Sequence, residues 1–113
     1  MKPWHFLFVV GFFSSALPLE ASPAFLTGNE LFKNCSASDG TFNKAVCTGY
    51  IMGIADGLQL TKQICLPAGA ILQQPVDVVT VYLRAHPEKR QSTASSMAWV
   101  ALIEAFPCQK NSN

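Results

Sequence analysis

Between two cysteines the chain carries Cys47-Thr-Gly-Tyr-Ile-Met-Gly-Ile-Ala-Asp-Gly-Leu-Gln-Leu-Thr-Lys-Gln-Ile-Cys65, followed at once by Leu66-Pro67. Apolar and small residues recur here at helical spacing, so the stretch reads as a helix that a cysteine can tie down at each end. Gly49, Gly53 and Gly57 fall four apart on one stripe. A glycine costs about 1 kcal/mol relative to alanine inside a helix, so three of them call for a reason. Close approach of a neighbouring helix within the same bundle is the expected reason. A contact with a second copy of the chain is the alternative, since small residues four apart allow close helix crossing.

Four cysteines, Cys35, Cys47, Cys65 and Cys108, occur in the 113 residues. An even number in a small exported domain points to two disulfides. No pair has Cys-x2-Cys spacing, and His86 is the one histidine beyond the first few residues, so neither a metal site nor a cofactor is expected.

Export is read from the first 24 residues. Lys2 precedes the apolar run Phe6 to Phe13, and small residues with Pro18 and Pro23 follow, which is the layout of a secretory signal peptide cleaved after Ala21 or Ala24. The run is well short of the ~20 residues that a membrane span needs. What remains, residues 25–113, is enough for one small domain. Seven basic side chains face six acidic ones in it, without a basic stripe, so nucleic acid is not an expected partner.

Four helices are expected. Thr27-Gly-Asn-Glu30 matches a capping box and starts the first, Gly28 to Cys35. The second runs from Thr41 to about Leu60, with Phe42, Val46, Tyr50, Ile54 and Leu58 on its apolar side. Pro67 and Gly69 turn the chain. A third helix is expected from about Pro75 to Ala85, with Val76, Val79 and Leu83 inward and Val78, Val81 and Tyr82 widening that face. His86-Pro87 stops it. The fourth, from Ser92 or Thr93 to Phe106, repeats Ala94, Met97, Ala98, Ala101, Leu102 and Ala105 at i, i+3, i+4 spacing, flanked by Trp99 and Ile103. The fold class is therefore all-α, a small four-helix up-and-down bundle with two disulfides. Short connections favour Cys35 with Cys47 and Cys65 with Cys108, and the two other pairings stay open at this point.

Nothing in the pattern makes an enzyme. The serines Ser92, Ser95 and Ser96 sit where a helix cap is expected, and His86 has no nucleophile or second base near it in sequence. Asp56, mid-helix among apolar residues, is expected to pair with Lys62, Arg84 or a tyrosine hydroxyl. A catalytic site would have to be made from Asp56, Tyr50 and His86.

A series of short blocks resembles the type VI amidase immunity (Tai) family. The blocks are Cys47-x-Gly49-Tyr50-Ile51-x-Gly53-x-x-Asp56, then Ile64-Cys65-Leu66-Pro67, then Val79-x-x-Tyr82-Leu83-x-x-His86-Pro87, then Ala101-Leu102-x-x-Ala105-Phe106-Pro107-Cys108. Pro75 departs from the series, standing where an ordinary helix former is expected. The resemblance implies a small all-α protein of the periplasm that binds and occludes a peptidoglycan amidase effector delivered by type VI secretion, often as a homodimer. On that reading the loops 66–74 and 86–96 are the partner-binding candidates, with Gln73, Gln74, His86, Glu88, Lys89 and Arg90 as the named side chains. A periplasmic chaperone or envelope structural protein of the same fold is the alternative.

Overall fold

The computed structural model describes residues 25–109, together with Pro3 and Gly11. The expected signal peptide, apart from Pro3 and Gly11, and the tail after Gln109 lie outside the described residues. Among the described residues four α-helices are formed: α1 (Gly28–Cys35), α2 (Phe42–Leu60), α3 (Gln73–Ala85) and α4 (Ala94–Ala105), with a single 3-10 turn at Pro87–Lys89. Among the described residues there is no strand, only an isolated antiparallel bridge between Thr27 and Thr93.

Three threonines set three of the helix starts. The first amides of a helix lack intrahelical partners, and a threonine hydroxyl at the N-cap can accept from one of them. Thr27 Oγ1 accepts from the Glu30 amide at 3.2 Å, Thr41 Oγ1 from Lys44 at 3.3 Å and Thr93 Oγ1 from Ser96 at 3.2 Å. At α1 the box closes, because Glu30 Oε2 accepts from the Thr27 amide at 2.8 Å. The Thr27 amide, then the Thr27 hydroxyl, hold the Glu30 carboxyl below its usual range. A lowered folded-state pKa supports the fold above the ordinary carboxylate range. That support is lost as pH falls through the lowered value.

Helix α3 starts two residues before the expected Pro75. Its first turn holds Gln73, Gln74 and Pro75, and a proline there removes an amide that would have had no helical acceptor. Leu72 at its N-cap makes no side-chain cap. Instead Gln74 Oε1 accepts from the Ile71 amide at 3.1 Å. At the end of α2 the chain leaves the helix at Thr61, and Lys62 takes a left-handed φ of 57°.

Every pair among the four helices touches. Their shared core is Leu31 of α1, Ile51, Ala55 and Leu58 of α2, Val76, Val79 and Leu83 of α3, and Ala94, Met97, Ala98, Ala101 and Leu102 of α4, closed below α2 by Ile64. The expected inner faces of α3 and α4 are therefore the buried or half-buried ones, with three exceptions: Val81, Trp99 and Ala105 are exposed. Phe42 is also exposed, at 82%. It is the first residue of α2, where the helix overhangs the bundle and no neighbour covers it.

The disulfides are Cys35–Cys47 and Cys65–Cys108. Cys35 ends α1 and Cys47 lies in the second turn of α2. The other bridge joins the segment after α2 to the segment after α4, where the Cys65 amide also donates to the Phe106 carbonyl at 3.0 Å. Helix α1, eight residues or about 12 Å long, thus reaches from the start of α4 to the start of α2.

Candidate functional site

The connection between α3 and α4 is ordered by backbone hydrogen bonds rather than by burial of apolar side chains. Within it, the Lys89 amide donates to His86, Arg90 to Pro87 and Ser92 to Lys89. Across it, the chain entering α1 lies alongside. The Gly28 amide donates to the Ser92 carbonyl at 2.8 Å, Asn29 to Arg90 at 2.8 Å, and the Ala94 amide to the Leu26 carbonyl at 2.9 Å. Residues 26–29 form a clasp along the root of the connection and leave Pro87, Glu88, Lys89 and Gln91 exposed at its outer edge.

Gly28 allows the clasp to sit this close. A Cβ at that position would run into Met97 Sδ and stand 2.9 Å from both Cα and the carbonyl oxygen of Arg90. Backbone cannot swing aside as a side-chain tip can. Gly28→Ala is expected to cost about 1–3 kcal/mol, read as a lower midpoint in urea denaturation. An unchanged midpoint would mean that the clasp yields without cost.

The named side chains separate into two groups. His86, Glu88 and Lys89 stand together at the end of α3. The His86 ring packs on Tyr82 with centroids 4.3 Å apart, and its Nδ1 lies 3.3 Å from Glu88 Oε1. A backbone hydrogen bond at Glu88 itself is the main cause that lowers its carboxyl pKa, with smaller help from His86 and Lys89. Gln73 and Gln74 sit at the opposite end of α3, about 18 Å away at 1.5 Å per residue. They belong to the first turn of the helix rather than to a loop, and Gln73 Nε2 donates to Asp77 Oδ1 at 2.6 Å. The structure does not bring the two groups to one surface patch.

Arg90 points inward. Its guanidinium carbon lies 4.1 Å from the centroid of the Phe32 ring, and its Nε is buried without a hydrogen-bond partner. An arginine stacked on an aromatic ring is held by the ring's negative face. Its first task here is to fasten the connection to α1.

The expectation for the glycines is corrected. Gly49, Gly53 and Gly57 are exposed, and a Cβ built on any of them would meet nothing within 4 Å. They do not mediate helix packing inside the bundle, because Ile51, Ala55 and Leu58 form the buried stripe of α2 and the glycines lie on its outer side. In the monomer Gly53→Ala is therefore expected to raise stability by about 1 kcal/mol, seen as a higher urea midpoint with an unchanged slope. A fall would show that the outer face of α2 carries a contact in solution.

Asp56 is exposed too, and among the described residues it makes no ion pair, in contrast to the expected one. It projects outward between Gly53 and Gly57 on a helix whose inner stripe is elsewhere. No hydrogen bond links Asp56, Tyr50 and His86 among the described residues. Nor do any three His, Cys, Asp or Glu side chains there gather as a metal site. No helix of the described residues is long and apolar enough to cross a membrane.

Between α3 and α4 runs an open apolar hollow of about 490 Å³, whose walls include Val78 and Val81 on one side and Ala101 and Ala105 on the other. Asp77 and Glu104 stand on its rim. The signal for it was present as small residues on α4 opposite surplus valines on α3.

The bundle is braced by two disulfides and presents a clasped polar connection at one end. Residues 27–108 match the family of Rap1a immunity proteins, and the chain belongs to that family. No curated protein matches it. Membership suggests a non-catalytic inhibitor that binds a toxin effector.

Proposed function

We propose that this protein is a periplasmic immunity protein of the Tai type, which binds a peptidoglycan amidase effector of type VI secretion and occludes its active site. The observation that carries the reading is the clasped connection 86–93, in a chain that belongs to an immunity family. A segment whose backbone is already fixed gives up little conformational freedom on binding, so more of its contact energy appears as affinity. Pro87, Glu88, Lys89 and Gln91 supply a narrow, polar edge that can enter a cleft. Two disulfides suit an oxidising compartment, and the signal-like first 24 residues would deliver the chain there. The dimer that the Tai resemblance implies belongs to this reading, with the outward row Gly49, Gly53 and Gly57 as its candidate surface.

The test is competition between sister cells armed with type VI secretion. A strain lacking this gene is expected to lose viability beside armed cells. It should regain viability with the full chain, and not with a version starting at Phe25, which stays in the cytoplasm. Full resistance without the gene would remove the proposal.

A further inference from the structure

We infer that the hollow between α3 and α4 is a docking groove for a segment of the toxin partner that presents an aliphatic or aromatic side chain flanked by lysine or arginine. The inference rests on the immunity reading for the identity of the partner, and on the groove's own chemistry for the segment.

Its floor is apolar for a geometric reason. Ala101 and Ala105 occur one turn apart on α4, and their short side chains leave room that Val78 and Val81 of α3 do not fill. Val81 remains 58% exposed in mid-helix, although its neighbours Val79 and Leu83 are fully buried. Aliphatic surface left open to water is stabilised by whatever covers it.

Charge selects the occupant. Asp77 and Glu104 are the acidic groups on the rim, and no lysine or arginine lines the hollow. Neither carboxylate is in an ion pair among the described residues. Asp77 uses one oxygen to accept from Gln73, and the other stays free for an incoming cation. Such a rim favours a basic segment and repels an acidic one, which gives selectivity as well as attraction. The groove also adjoins the clasped connection: His86 borders it, and a second hollow reached past Tyr82 and Glu104 is lined by Lys89, Ser92 and Ser96. A partner seated on the connection would have the groove directly beside it.

The first arm of the test uses the isotopically labelled, oxidised protein and two short amphipathic peptides, one of leucine and lysine, the other with glutamate in place of each lysine. Titration followed by amide chemical shifts is expected to move Val78, Val81, Ala101, Glu104 and Ala105 with the basic peptide only. The double variant Asp77→Lys, Glu104→Lys is expected to weaken that binding at least about tenfold. Equal shifts from both peptides, or shifts mapping elsewhere, would overturn the groove.

The second arm places the double variant, shown by circular dichroism to be folded, in the sister-cell assay. Loss of protection that the single isosteric changes Asp77→Asn and Glu104→Gln reproduce in part supports the inference. Full protection by the double variant overturns the groove and leaves the immunity reading standing. Failure of the wild-type gene to protect removes the immunity reading and with it the toxin as occupant. If sedimentation shows a wild-type dimer that the double variant abolishes, the occupant is a second copy and the inference is wrong.

Discussion

Replacing Cys65 and Cys108 together by serine is expected to lower the free energy of unfolding by about 4 kcal/mol, and replacing Cys35 with Cys47 by about 3 kcal/mol. The difference comes from loop length. The first bridge closes a sequence separation of 43 residues and the second one of 12, and the longer loop removes more freedom from the unfolded chain. Native domains are commonly stable by only about 5–15 kcal/mol, so either loss is large for a domain of this size. Urea denaturation of the oxidised wild type and of the two double variants checks the order. A greater loss at Cys35 and Cys47 would mean that contacts in the native state, and not the unfolded chain, decide the contribution of each bridge.

Leu83→Ala is expected to cost about 2–5 kcal/mol, whereas Val81→Ala, two residues earlier on the same helix, is expected to stay within about 0.5 kcal/mol. Leu83 is fully buried at the centre of the four helices, and its truncation leaves a cavity that surrounding side chains cannot close. Val81 points into the open groove, where water already reaches it. The two variants share a helix, so propensity alone cannot separate them. Thermal unfolding of both, against wild type, reads the contrast directly. Similar losses would show that the groove is closed in solution.

Helix limits were legible because they are written locally. Thr27 with Glu30, Thr41 and Thr93 mark starts through hydrogen bonds that span three residues, and no tertiary information is needed to see them. The disulfide pairing followed from short connections between consecutive helices, although spacing alone left other pairings open. What depended on the direction of a face was harder. Helix α2 carries apolar and small residues nearly all round, so periodicity did not tell whether Gly53 or Ala55 turns inward, and the structure buries Ala55. Phe42 fits the helical spacing and is nevertheless exposed, because the end of a helix can extend past its partners.

At the candidate site, His86, Glu88 and Lys89 are expected from their place in a polar connection beside a proline, and the structure sets them together at the end of α3. The role of Arg90 was hidden, since its partner Phe32 lies far away in sequence and meets it only once α1 crosses to α4. The loop expected to hold Gln73 and Gln74 rests on taking Pro75 as the first residue of α3. A proline is tolerated anywhere in a first turn, and two residues ahead of it suffice to move both glutamines into the helix. The groove between α3 and α4 is a property of two helices at once, and a reading that takes each helix separately does not reveal it.

The larger disulfide ring has a consequence for survival after damage. Both α3 and α4, with the connection between them, lie inside the segment bounded by Cys65 and Cys108. A protease that cuts once at the exposed Glu88 or Lys89 therefore separates no piece from the molecule. The halves remain one covalent body, held in register by the same core, and come apart only when a reductant opens the ring.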